Sequence, residues 1–431
     1  LAFQKEAKRQ NSAPMENSES RKNLLKSIGP GILLAGAAIG GSHLLSATTA
    51  GAQYGFSLLW IVLLINLLKY PFFEYGQRYT AAAGETILDG YQRLGHWEII
   101  VFFLLNLFTA IANIAGVAMI AGILGAELFG TACHPFLWTA AVLSICVILM
   151  IAGKYKWLDR GMKIQISLLA LATIIALAAA AHYNHGVALS AAPPVWNKTG
   201  VLFLIVLMGW MPAPIELSAW TSLWMMERKA ETGHAATVRE ARIDFHIGYI
   251  ATAILAVIFL SLGALVMFGS GETFQGGAGF AKQFVELYTR ALGGWIRPVV
   301  ALAAFITMFS TTLTCVDGYP RALAASLQRI IPAWRNRFKP FYFSFIILTT
   351  LLSLIVVGLL SNSLKTLLNI AMILSFLAAP VFAVINYRIV TADFMPAADR
   401  PGIKMRILSW AGIIFLAGFS LFFLISRFIG N

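Results

Sequence analysis

Apolar stretches long enough to cross a lipid bilayer recur along almost the whole of this 431-residue chain, and that feature constrains its fold more than any other. Spanning roughly 30 Å of hydrocarbon takes about 20 residues of α-helix. Runs of that kind lie at residues 30–50, 57–80, 98–124, 136–153, 158–182, 200–224, 246–270, 296–316, 340–360, 364–387 and 407–429. Without water to satisfy their backbone polar groups, such runs must be helical. The chain is 59% hydrophobic and 12% charged, and the gaps between runs are too short for a soluble domain. The prediction is an all-α integral membrane protein of eleven spans.

The net charge of +13 points to topology rather than to nucleic acid, because the basic residues are spread over the short connections. Arg78 and Arg93, then Lys154, Lys156, Arg160 and Lys163, then Arg228, Lys229, Arg239 and Arg242 fall on one side. So do Arg321, Arg329, Arg335, Arg337 and Lys339, and Arg388, Arg400, Lys404 and Arg406; far fewer, such as Lys198, Lys282, Arg290, Arg297, Lys365 and Arg427, fall on the other. By the positive-inside rule the N-terminus is cytoplasmic and the C-terminus outside, in a cell's inner or plasma membrane. Residues 1–26, polar and basic, read as a disordered cytoplasmic tail; 27–390 form the core, and 391–431 add the eleventh helix. Cys133, Cys146 and Cys315 have neither metal-ligand spacing nor a disulfide framework, so they read as small apolar fillers, and nothing calls for a cofactor.

Two spans are interrupted. The first carries Gly29-Pro30-Gly31 and then Gly40-Gly41-Ser42-His43; the sixth carries Gly209-Trp210-Met211-Pro212-Ala213-Pro214-Ile215-Glu216. Breaks at the first position of each of two five-helix halves, 27–183 and 199–390, are the signature of inverted repeats with a discontinuous helix in each, whose unwound backbone faces a substrate cavity. Gly40, Gly41, Ser42, His43, Met208, Trp210, Met211, Pro212, Ala213 and Glu216 are therefore the candidate substrate-binding residues.

These residues resemble the natural resistance-associated macrophage proteins (NRAMP), proton-coupled divalent-metal transporters. The likeness is specific at Gly29-Pro30-Gly31 and at Ala50-Gly51-Ala52-Gln53-Tyr54-Gly55-Phe56-Ser57-Leu58-Leu59-Trp60. It continues more weakly at Tyr155-Lys156-Trp157-Leu158-Asp159-Arg160 and at Met211-Pro212. It implies a LeuT-like fold and alternating access. The sequence departs from the family where its chemistry resides. The family's metal-binding Asp-Pro-Gly-Asn is replaced by Gly40-Gly41-Ser42-His43, and its Met-Pro-His by Met211-Pro212-Ala213. The family's usual Mn²⁺ or Fe²⁺ site is not expected in that form.

Two readings of the altered site follow. A divalent ion leaving water needs compensating ligands; His43 and Met211 could hold a soft ion, Glu216 could add a carboxylate, and hydrated Mg²⁺ could bind through water. Alternatively, glycines let backbone N–H groups approach a ligand, and a half-helix N-terminus favours an anion, so that the cargo is a small organic carboxylate or similar solute. The second reading is favoured.

Na⁺ or H⁺ is the expected coupling ion, with Ser310, Thr311 and Thr312 of the eighth span as candidate Na⁺ contacts. Lys69, Glu74 and Arg78 on the second span, and Asp317 on the eighth, read as ion-pair or gating residues. Asn106 and Asn113 read as interhelical hydrogen-bonding groups, and Trp210, Trp220 and Trp224 mostly as lipid-facing or interfacial, with Trp210 close enough to the break to line the cavity. A channel is disfavoured because no filter loop repeats, and an enzyme because no catalytic motif occurs. A transport-dead sensor would keep only the fold. The bilayer and a small-molecule or ion substrate are the implied partners; the sequence leaves the oligomeric state open.

Overall fold

A computed structural model of the chain describes residues 22–131, 134–152, 155–183, 192–270, 274–275, 278–361 and 363–428. Residues 1–21 of the tail, Cys133, Lys154 and the side chains of Lys156, Arg160, Lys163 and Arg427 lie outside the described residues. Residues 22–27 are helical, so order begins inside the stretch expected to be a disordered tail.

All regular structure among the described residues is helical. The first span comprises α1 (Pro30–Ala38), a π-helical turn (Ser42–Ala47) and α2 (Thr48–Tyr54). There follow α3 (Leu59–Ala83), α4 (Ile87–Leu94), α5 (His96–Leu128), α6 (Pro135–Ile151) and α7 (Tyr155–Tyr183). The second half runs α8 (Lys198–Trp210), α9 (Leu217–Thr232), α10 (Val238–Val266), α11 (Ala278–Leu292), α12 (Arg297–Ile330), α13 (Phe338–Leu360) and α14 (Leu364–Thr391); α15 (Ile403–Phe428) closes the chain.

Seven helical stretches are long and apolar enough to cross a membrane, and three shorter apolar ones lie at Pro135–Ile151, Leu168–His182 and Lys198–Trp210. The longest, Ser42–Ala83, is two crossings. Gly55, with φ 58°, stops α2 in a conformation that glycine adopts without penalty, and both α2 and α3 then pack on α10. That makes eleven spans.

Local chemistry sets the boundaries. Thr86 and Thr237 each form a capping box, with Asp89 and Glu240 respectively, which starts α4 and α10 outside the apolar run. Consequently α10 begins at Val238 rather than near 246, and α12 continues to Ile330 rather than ending near 316. Two short helices, α4 and α11, were not anticipated. Each follows the second span of its half and buries one face, Ile87, Leu88 and Tyr91 in α4, Phe280, Phe284 and Tyr288 in α11. Their equivalent positions agree with an internal repeat.

The most extensive packing joins α5 to α12, with α14 also against α5 and α10 against the broken first span. Glycines make that last contact close: a Cβ on Gly31 would overlap the Asp244 carbonyl, and one on Gly248 the Gly31 carbonyl. Trp210, Trp220 and Trp224 are buried in this core, not lipid-facing. Among the described residues the exposed tryptophans are Trp60, Trp97, Trp196, Trp295 and Trp410.

Candidate functional site

The first break is short. The Ile39 N–H still donates to Ala35 O (2.8 Å), and the ladder restarts when His43 and Leu44 both donate to Gly40 O (3.1 and 2.9 Å). The N–H groups of Gly41 and Ser42 therefore precede the first bond of the second half-helix, where helix donors have no partner within the helix. Both glycines are required by close neighbours. A Cβ on Gly40 would stand 2.6 Å from Thr311 Oγ1, and one on Gly41 would enter the Trp210 ring. In the sixth span, α8 stops at Trp210, Met211 is extended before a cis bond to Pro212, and α9 starts at Leu217. The two breaks touch through Ser42, whose hydroxyl reaches Ala38 O (2.7 Å) and Pro212 O (3.3 Å).

Between them lies a cavity of about 30 Å³, bounded by Ser42, Trp210, Ala213, Trp220, Thr311 and Tyr319 among others. That volume accommodates about a water molecule. No Asp, Glu, His or Met contributes to its lining, and among the described residues no three His, Cys, Asp or Glu side chains cluster in a way that could hold a metal ion. One unpaired donor stands in that lining. Trp220 is fully buried, and its indole N–H has no acceptor.

Trp210 forms the floor of a polar network. Its indole N–H donates to Asn113 Oδ1 (2.9 Å); Asn113 Nδ2 donates to the Tyr319 hydroxyl (2.5 Å) and to Ser375 Oγ (3.1 Å). The Tyr319 hydroxyl in turn donates to Glu216 Oε1 (3.2 Å). Glu216 is fully buried behind Tyr319, and its Oε2 has no hydrogen-bond partner. Tyr319 and Ser375 were missed as site residues. A hydroxyl in an apolar helix signals polarity but not which way it faces. Of the two asparagines expected to bridge helices, Asn113 does so, whereas both side-chain polar atoms of Asn106 are buried without partners.

His43 is turned away from the cavity. Its Nε2 sits 2.9 Å from Thr252 O on α10, and its Nδ1 lies 3.0 Å from Ala38 O and 2.7 Å from Ser42 Oγ. With both ring nitrogens engaged by the protein, it offers no free nitrogen to a cargo. Met211 is buried outside the lining. Met208 and Gly209 participate through their carbonyls, which, with that of Ala213, accept from Lys69 Nζ at 2.6, 3.1 and 3.3 Å. Gly40 meets Thr311, whose hydroxyl also faces Gly36 O (3.4 Å). Thr312 bonds back to Met308 O within α12, and Ser310 Oγ is buried without a partner.

Lys69 thus stands apart from the ion pair of its own helix. Glu74 and Arg78 pair at 2.7 Å, and Arg242 of α10 approaches Glu74 at 3.4 Å. The same end of the molecule holds Asp317 with Arg321 (2.8 Å) and the Tyr342 hydroxyl (2.5 Å), and Asp244, which accepts from the N–H groups of Gly29 (2.9 Å) and Gly31 (2.6 Å). Asp244 was also missed; its role depends on packing between halves. Burial disfavours charge on Asp89 of α4, but Arg329, at 2.8 Å from each carboxylate oxygen, holds its carboxyl below the usual 3.8. The other end is recessed. A cavity of about 180 Å³ opens there between α2, α8 and α14, with Lys365 on its wall. Leu368 from that wall and Trp210 of the central cavity both stand over Gly116.

Comparison with known proteins decides the family. The model of the natural resistance-associated macrophage protein-like family matches residues 31–426. The chain belongs to this family. An uncharacterized protein of Pasteurella multocida is 39% identical over 406 residues, covering 92% of this chain and 91% of that protein. Among solved structures, a mutant manganese transporter of Eremococcus coleocola superposes with a TM-score of 0.71 at 15% identity, covering 94% of this chain and 88% of that one. MhsT in complex with L-phenylalanine gives a TM-score of 0.59 at 17% identity, covering 93% and 98%. At such identities the neighbours establish the fold. This NRAMP-family chain is an integral membrane transporter of LeuT-like architecture, not an enzyme, and its broken helices are the first and sixth spans.

Proposed function

We propose that this NRAMP-family member is a secondary transporter that carries a small organic carboxylate by alternating access, coupled to Na⁺ or H⁺. The observation that carries this reading is the unpaired indole N–H of Trp220 at the cavity between the breaks. The cavity lining has no acidic, imidazole or thioether side chain, and the Trp220 N–H lacks an acceptor. An unpaired buried donor costs about 1–3 kcal/mol, which an acceptor-rich ligand relieves; a divalent cation would relieve nothing there and would lose its hydration.

In the closed arrangement the cavity is too small for an organic acid, so loading requires Trp210 and Leu368 to swing from over Gly116 and join the central cavity to the outer one. The end rich in arginine ion pairs faces the cytoplasm, and the end of α15 lies outside, in a cell's inner or plasma membrane. If Na⁺ couples, Ser310 and Thr311 beside Gly36 O are its contacts. The test is uptake into proteoliposomes. Radiolabelled small carboxylates are expected to accumulate under an imposed Na⁺ or H⁺ gradient while Mn²⁺ and Mg²⁺ do not, and gradient-driven uptake of either metal would overturn the reading.

A further inference from the structure

Lys69 lies in the middle of α3 and is fully buried. An unpaired ammonium ion at such depth costs several kcal/mol, yet its partners are not acids in contact but three backbone oxygens: Met208 and Gly209 in the last turn of α8, and Ala213 in the unwound linker. Carbonyls at a helix C-terminus lack intrahelical donors and carry the negative end of the helix dipole. Three carbonyl oxygens converging on one point make a cation site. Its three acceptors suit a primary ammonium, which has three N–H groups, and fall short of the about six oxygens that a divalent ion requires.

We infer that the carbonyl cradle at the end of α8 is a monovalent-cation site whose resident occupant is the protein's own Lys69 ammonium, so that shortening Lys69 opens it to a small primary ammonium ion from solution. In the wild-type protein no external cation binds at this break, because the charge is tethered and stays with the chain through each cycle. The inference does not depend on the cargo.

The test is thermal unfolding of purified Lys69→Ala without any carboxylate, titrated with methylammonium chloride and, as a control of equal ionic strength that has no N–H donor, tetramethylammonium chloride. The variant is expected to unfold below wild type and to regain a few degrees, saturably, with methylammonium alone, while wild type responds to neither salt. Equal responses of the variant to the two salts, or a methylammonium response in wild type, would overturn the inference. Should Lys69→Ala yield no folded protein, Lys69→Gln supplies two N–H donors without charge. It is expected to unfold below wild type, and wild-type stability in it would show that the cradle needs a donor but not a cation, which also overturns the inference.

Discussion

Gly41 shows what one residue decides at this site. The Trp210 ring occupies the space where a side chain on Gly41 would begin, so the first break can be closed only because position 41 has none. Gly41→Ala is expected to destabilise the protein by about 1–3 kcal/mol, the usual range for overpacking a filled core, and to lose substrate-driven stabilisation. Adding Trp210→Leu should return most of the stability, since residues in direct contact are not additive. A double-mutant cycle by denaturant unfolding checks this, and additive losses would show that the two do not meet. The sequence revealed that positions 40 and 41 need glycine-like backbone access, but not that Thr311 and Trp210 impose it, because those partners come from other helices. His43 illustrates the opposite failure. Its place in the motif suggested a ligand, whereas Thr252 O of α10 accepts from Nε2–H and the Ser42 hydroxyl faces Nδ1, so both nitrogens are engaged. Lys69 was legible as a costly buried charge; its partners were not, because backbone carbonyls leave no mark in a sequence.

At the scale of elements, the spans were legible because a bilayer imposes length and apolarity, and the two breaks because Gly and Pro interrupt helices visibly. The short helices α4 and α11 were not, since each is amphipathic and too short to register among hydrophobic runs. α4 carries a prediction of its own. The Asp89 carboxyl is held below 3.8 by Arg329, against the effect of burial, so its contribution is fully present above 3.8 and is lost as pH falls through the lower folded value. Asp89→Asn should therefore cost about 1 kcal/mol at neutral pH, as a partly exposed pair does, and the gap to wild type should close in strong acid. Unfolding midpoints over a pH series measure it; a gap that persisted in acid would place the loss in the Thr86 capping box instead of the ion pair.

For the whole molecule, the arrangement is asymmetric. One end is tied by Glu74–Arg78, Asp317–Arg321, Asp89–Arg329 and the Asp244 cap on α1, and the other opens into a cavity of about 180 Å³. A transporter of this architecture must exchange those conditions once per cycle, with the central cavity as the fixed point. What occupies that cavity is the central claim, and ligand-dependent thermal unfolding of the purified protein tests it most directly. A ligand that binds only the folded state at one hundred times its Kd adds about 2.7 kcal/mol. A panel of small carboxylates, Mn²⁺ and Mg²⁺, each with and without Na⁺, should show saturable stabilisation by a carboxylate and none by either metal. Saturable stabilisation by Mn²⁺ or Mg²⁺, with no response to any carboxylate, would contradict the account.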